Sequence, residues 1–369
     1  MQSGTMVFTQ MNRVIFGQPA AASIATETDR LGARRVFLLV SRTLNTGTDE
    51  IQKIRAVLGD RFVGLHDHMP SHSPRESVVA CANAARRANA DLLVTVGGGS
   101  VTDGGKAVTI CLEHDISDVD GLEPFRTVVK DGVRIVPDFR APSVRLISVP
   151  TTLSAGEFNA RAGVTDTRLK LKQSYVHRGI VPETVILDPA ITVHTPEWLW
   201  LSSGVRAVDH AVETLCSIDA NDYTDGTSLQ ALRALSDGLS RVKANPADLE
   251  GRLRCMMGAW LSMVGIVSGT KLGASHAIGH ILGGSANVPH GQTSCVMLPY
   301  VLAYNAPVNA ERQAEVSRAL GHPDTPASEV LDTLIRSLEM PRHLRDVQVG
   351  EDDLPRLAEN CMLDDWTFS

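Results

Sequence analysis

The stretch DLLVTVGGGSVTDGGKAV (91–108) constrains the fold more than any other part of the chain. Its first part is apolar without alternation. Both faces of the strand it forms must therefore be buried, as in a parallel sheet covered by helices on both sides. The segment then passes through Gly97, Gly98, Gly99 and Ser100 into residues with helical spacing. Glycines at a helix start let a ligand approach the backbone, and the helix N-terminus offers N–H groups and the positive end of its dipole. That arrangement suits a pyrophosphate. The spacing is neither GxGxxG nor a Walker A loop, so on these residues alone a structural tight turn stays open.

The same texture recurs. RRVFLLVS (34–41), VRLISVPTT (144–152) and ETVILDPA (183–190) read as further buried strands, and RESVVACANAARRANA (75–90) and VTDGGKAVTICLEH (101–114) as helices. Buried strands alternating with helices predict a parallel α/β sheet. Ligands of open parallel sheets lie beyond the carboxyl ends of the strands, where the Thr151 and Thr152 hydroxyls could bind ribose or phosphate. The polar segment 114–142 reads as an irregular surface excursion. After Pro189 the periodicity is helical throughout, which places a domain boundary near 188–192. The expected division is an α/β domain over 1–189 and an all-helical domain over 190–369, and a chain of 369 residues is long enough for two cores.

Composition excludes several classes. The 43% hydrophobic and 21% charged fractions are those of a soluble globular chain. A net charge of −7 with scattered basic residues argues against nucleic acid as a partner. No apolar stretch approaches a membrane span, and the N-terminus lacks a secretory pattern, so a cytoplasmic protein is expected. Cys81, Cys111, Cys216, Cys255, Cys295 and Cys361 are widely spaced without a CxxC pair, and read as buried, reduced thiols.

Together GGGSVTDGGKAV, SVPTT, VILDP, SGVRAVDHAVE and HAIGHILGGSANVPHGQTSCVMLPYVLAYN resemble the iron-containing alcohol dehydrogenase family. The likeness spans nearly the whole chain. It is nearest to the maleylacetate reductase branch, where PTTLSAGE is similarly short and the histidine segment is similar. It implies an α/β dinucleotide-binding domain with a parallel sheet, an all-α C-terminal domain, and a cleft between them. This fold is shared with dehydroquinate synthase. It further implies a homodimer and hydride transfer between NAD(P) and a small alcohol or carbonyl substrate. By the same resemblance Gly97, Gly98, Gly99, Ser100 and Asp103 belong to the pyrophosphate loop. Thr151 and Thr152 lie near the nicotinamide and its ribose, and Lys172 is on the cofactor side. Ser41 stands where NAD-preferring members carry an acid on the adenosine 2′-hydroxyl. A serine followed by Arg42 does not repel a 2′-phosphate, so either NAD or NADP is expected, with NADPH tolerated.

Family members hold a metal with an aspartate and three histidines. His210, His276 and His290 match the histidine ligands, and His280 matches a further active-site histidine. The aspartate position carries Arg206, four residues before His210 on the same helical face. Maleylacetate reductases also tend to lack this aspartate, usually carrying asparagine. A guanidinium has no lone pair to give and stays charged. A unit charge 4 Å away costs about 4 kcal/mol at an effective dielectric of 20, and a divalent ion about twice that. A metal ion is thus doubtful here. Asp209 lies about 100° around the helix from His210, and for Asp209 and Glu213 the plain reading is ion pairing or a polar helix face. Without a metal, Arg206 could stabilise a developing alkoxide or grip a carboxylate, which suits an oxo-acid. His280, and after it His276, are the candidates for proton transfer, against the plain reading of core histidines. Trp198 and Trp200 read as core anchors joining the two domains. Three functions follow: a metal-independent NAD(P)H-dependent reductase, an iron- or zinc-dependent alcohol dehydrogenase, or a non-catalytic nucleotide-binding protein.

Overall fold

The computed structural model describes residues 5–130 and 133–362, which fall into two compact units. The first, Thr9–His194, contains β1 (Arg13–Phe16), α1 (Ala20–Leu31), β2 (Val36–Val40), α2 (Arg42–Gly47), α3 (Glu50–Leu58), β3 (Phe62–His66), α4 (Arg75–Arg87), β4 (Leu92–Gly97) and α5 (Gly99–Glu113). It continues with β5 (Val128–Lys130), β6 (Val133–Ile135), β7 (Arg145–Pro150), β8 (Arg161–Asp166), β9 (Leu171–Val176) and β10 (Thr184–Leu187). Six strands form one parallel sheet in the order β1-β10-β7-β4-β2-β3.

Strand alternation divides the apolar side chains between two cores. Leu92, Val94 and Val96 of β4 join Val36, Leu38 and Val40 under α1 and α3, while Leu93, Phe37 and Leu39 meet α4 and α5 on the other face. The α/β-plus-helical fold class expected from the sequence is the one observed. Asp188 of the VILDP motif has a structural role: its carboxylate accepts from the Ala20 N–H at 2.7 Å and so caps α1.

Several elements were not legible. β1 and β3 lie at the sheet edges and are only half-buried, so they carry no long apolar run. β8 and β9 pair as an antiparallel hairpin whose inward row is Ala162, Val164, Asp166, Gln173 and Tyr175, a mixture too polar to read as a strand face. The segment 114–142 is not wholly irregular. Its Ile116 and Leu122 are buried in the α4–α5 core, and β5 pairs with β6.

The second unit runs on from Thr195 and takes in residues 5–8. Those first residues were expected in the α/β domain, but Phe8 meets Tyr223 edge-on at 6.3 Å. From Thr195 onward the described residues contain helices and no strand: α6 (Glu197–Cys216), α7 (Asp222–Ala244), α8 (Leu249–Val267), α9 (Ala274–Ala286), α10 (His290–Ala319), α11 (Ala327–Ser337) and α12 (Leu354–Cys361). None is long and apolar enough to cross a membrane. α6 is the central helix, buried from Trp200 to Leu215 except at Arg206. Trp200 is buried under the Arg252 guanidinium, 4.7 Å from its ring, whereas Trp198 is 47% exposed and anchors no core. All six cysteines are free thiols, five of them buried, with Cys216 half-buried.

Candidate active site

In the first unit the chain moves outward from β2 to β3, then back across β2 to β4. The strand order therefore reverses between β2 and β4, and a crevice outside their carboxyl ends is where such sheets take ligands. Ser41 ends β2 and donates its N–H to Val96 O at 2.8 Å, and Thr151 donates to Gly97 O at 2.9 Å. Ser41, the glycine run and the two threonines are thereby brought to one edge. The glycines there serve space rather than unusual dihedrals. A Cβ on Gly98 would lie 3.1 Å from Thr152 Cγ2, and one on Gly99 3.0 Å from Ser154 Oγ. Gly98 caps α5, whose first turn contains no acidic residue, so its N–H groups face no built-in anion.

The other members of this set are engaged in holding the loop. Ser100 Oγ accepts from His72 N at 3.0 Å, and Ser73 Oγ donates to Ser100 O. His72 and Ser73 both have left-handed backbone, with φ of 65° and 48°, a strained pair for non-glycine residues. Asp103 accepts from Gly163 N at 3.1 Å, tying α5 to β8. Lys172 lies across the same Gly163, whose added Cβ would sit 2.3 Å from Lys172 Cε and 3.3 Å from Asp103 Oδ2. Beneath them Lys106 is fully buried and donates to Gly156 O, Asn159 Oδ1 and Arg161 O. Burial lowers its pKa to about 8, against the pull of Asp103 and Glu157. Neither Lys106 nor the His72–Ser73 turn was singled out from the sequence, and nothing in their local pattern marks them. Gly105 sets the distance of α5 from the sheet, since its Cβ would fall 2.3 Å from Thr95 Cγ2. Gly105→Ala should cost about 1–3 kcal/mol by overpacking and lower the melting temperature by several degrees in scanning calorimetry. An unchanged melt would mean that the contact relaxes freely.

The second unit carries Arg206 and the histidines. α9 holds His276 and His280, and His290 begins α10 after Pro289. The glycine pair between them, Gly283 and Gly284, lies within the helix, and α9 ends at left-handed Asn287, φ 54°. Glycine one turn after each histidine makes room. A Cβ on Gly279 would lie 3.2 Å from the Arg206 Nη1, and one on Gly283 2.8 Å from the His290 ring. His210 stacks on His276 with centroids 4.9 Å apart.

Glu213 has a role that the sequence reading missed. From α6 it accepts N–H bonds from Gly273 at 3.0 Å, Ser275 at 2.7 Å and His276 at 3.3 Å, so it caps α9 from a neighbouring helix. Its Oε2 also meets His276 Nδ1 at 2.7 Å. Burial and Asp209 push the Glu213 carboxyl upward, while these N–H donors favour the carboxylate. Asp209 accepts from the Ser275 and Ser294 hydroxyls at 2.8 and 2.6 Å. Burial raises its pKa to about 6, against the pull of Arg206. The Arg206 Nη1 donates to Ser294 Oγ at 3.2 Å. Burial lowers the Arg206 pKa, opposed by Asp209 and Glu213, and the guanidinium stays charged. His210 and His276 are held well below the ordinary imidazole range, first by burial and then by Arg206. His280 is half-buried, unlike the enclosed His276.

Arg206 fits a divalent cation poorly. It brings a fixed positive charge against the histidine helix at Gly279, and no ligand atom. Asp209, Glu213 and His276 do bring potential ligand atoms within 4.8 Å of one another. Yet the Glu213 oxygens already receive N–H donors, and the His276 nitrogen of that trio faces Glu213. The trio is a hydrogen-bonded knot that fixes α9 on α6.

A doubly wound α/β unit with a helix N-terminus at its switch point is thus followed by a helical unit with a histidine–arginine cluster. The description "Iron-containing alcohol dehydrogenase" matches residues 11–189, and "Fe-containing alcohol dehydrogenase family, C-terminal" matches 200–369. The chain is 32% identical to maleylacetate reductase 2 of Cupriavidus pinatubonensis over 355 residues, covering 95% of this chain and 88% of the relative. Maleylacetate reductase from Agrobacterium tumefaciens superposes with a TM-score of 0.82 at 27% identity, over 98% of this chain and 92% of that one. A 1,3-propanediol oxidoreductase gives 0.87 at 27% identity, over 99% and 95%. The chain belongs to the iron-containing alcohol dehydrogenase family.

Proposed function

We propose that this protein is a cytoplasmic, homodimeric NAD(P)H-dependent reductase of a small oxo-acid, and that it works without a catalytic metal. The observation that carries the reading is Arg206, a half-buried guanidinium on the histidine-bearing face of α6, where the family places an aspartate ligand. The maleylacetate reductases among its relatives support an oxo-acid as substrate.

The unit Thr9–His194 serves as the dinucleotide-binding domain and the helical unit as the substrate domain. The first turn of α5, from Gly97 to Ser100, holds the pyrophosphate, with Asp103 bracing the loop; Thr151, Thr152 and Lys172 serve the nicotinamide side. Ser41 lies by the adenosine ribose, where the exposed Arg42 accepts a 2′-phosphate. The bound nicotinamide supplies a hydride to the carbonyl carbon. Arg206 binds the substrate carboxylate, or the oxygen on which charge develops, through the N–H groups that Ser294 leaves free. His280 delivers the proton to the alkoxide, with His276 as its neighbour one turn away. His276 is the weaker donor, since its Nδ1 is committed to Glu213.

The test is elemental analysis of protein purified without chelator, alongside NADH and NADPH oxidation with maleylacetate in the presence and absence of EDTA. Iron and zinc well below one per chain, with EDTA-insensitive turnover on both cofactors, is the expected result. Stoichiometric metal with EDTA-sensitive turnover would establish the metal-dependent alternative, and cofactor binding without turnover of any carbonyl would establish the non-catalytic one.

A further inference from the structure

Three helices converge on the far side of the Arg206 guanidinium. Its Nη1 donates to Ser294 on α10, Ser294 donates to Asp209 Oδ2 on α6, and Ser275 on α9 donates to the same oxygen. A hydroxyl has a single hydrogen. Because that of Ser294 is spent on Asp209 at 2.6 Å, its lone pairs must face the guanidinium. Asp209 is completely buried, and its Oδ1 has no hydrogen-bond partner among the described residues. The carboxylate is closed off from bulk solvent and is stabilised by two hydroxyls and the Arg206 charge, with His276 Nδ1 3.5 Å from Oδ2. The direction of each bond is thereby set, from cation to hydroxyl to anion.

We infer that Asp209 and Ser294 are positioning residues for Arg206, a relay that anchors one N–H of the guanidinium and turns the others toward the substrate carboxylate. This rests on the reading of Arg206 as the carboxylate-binding group. A fixed fork binds a carboxylate at lower entropic cost than a mobile one. The relay also explains how a half-buried arginine persists at a position suited to an acid: its counter-ion lies on the same helix, linked through a hydroxyl from another. Glu213 adds to the attraction on Arg206, but its oxygens are hydrogen-bonded to the start of α9 and have no hydroxyl link to the guanidinium.

The test is a double-mutant cycle on Arg206→Ala and Ser294→Ala, with maleate as the probe. Its affinity for the NADH-bound protein is measured by titration calorimetry, and the KM and kcat of maleylacetate are measured in parallel. Ser294→Ala should weaken maleate about tenfold and raise KM similarly, with kcat and NADH affinity little changed. In the Arg206→Ala background it should have no further effect, and Ser294→Thr, which keeps the hydroxyl, should restore binding. Asp209→Asn should reproduce the loss while preserving shape. Unchanged maleate affinity in Ser294→Ala, or losses that simply add in the double variant, overturn the relay alone. If Arg206→Ala itself leaves maleate affinity unchanged, the carboxylate reading falls and the relay with it.

Discussion

Arg206→Ala should raise the KM for an oxo-acid by about a hundredfold, roughly 3 kcal/mol, the scale of losing charge-assisted hydrogen bonds in a desolvated site. Affinity for the nicotinamide cofactor should stay within a factor of about two, because effects at separate sites are nearly independent. Arg206→Lys should fall between, since it retains charge but not the planar fork. Truncation also strands Asp209, which is fully buried beside it. Without the cation the Asp209 pKa should climb beyond about 6, and the carboxyl should take up a proton rather than remain an unpaired charge. Steady-state kinetics with maleylacetate and a fluorescence titration with NADH would measure both halves. A KM that does not move leaves the arginine without a substrate role.

Glu213→Ala should strongly destabilise the helical unit. It removes the acceptor for three backbone N–H groups and the His276 ring, all in a buried setting. Breaking such a network costs about 3–5 kcal/mol, or roughly 10 °C in melting temperature. Glu213→Gln should recover only part, because its NH2 must face N–H donors. Calorimetry would read the loss directly. A shift of only a degree or two would mean that water replaces the carboxylate and that the cap is dispensable.

The residues that announce themselves in the sequence do so through simple physics. Fully buried strands such as VFLLV and LLVTVG are continuous apolar runs, and Arg206 is conspicuous because it is the wrong charge beside histidines. Asp209 and Glu213 gave no such signal. On a helix they read as ordinary acids, and only the approach of α9 and α10 makes one a counter-ion and the other a cap. The same holds for Lys106, whose three oxygen partners come from a loop some fifty residues downstream. Spacing along one element reports which face a side chain shares. It does not report what another element brings to that face.

α9 contains three glycines within thirteen residues, Gly279, Gly283 and Gly284. Each costs about 1 kcal/mol of helix propensity relative to alanine, and a helix this short is marginal in water by itself. Its helicity is thus lent to it by α6 through the Glu213 carboxylate. The histidine helix should open as one cooperative unit, and its amides should exchange with deuterium together, sooner than those of α6. The segment that carries His276 and His280 is then a part of the helical unit able to yield when a ligand enters or leaves.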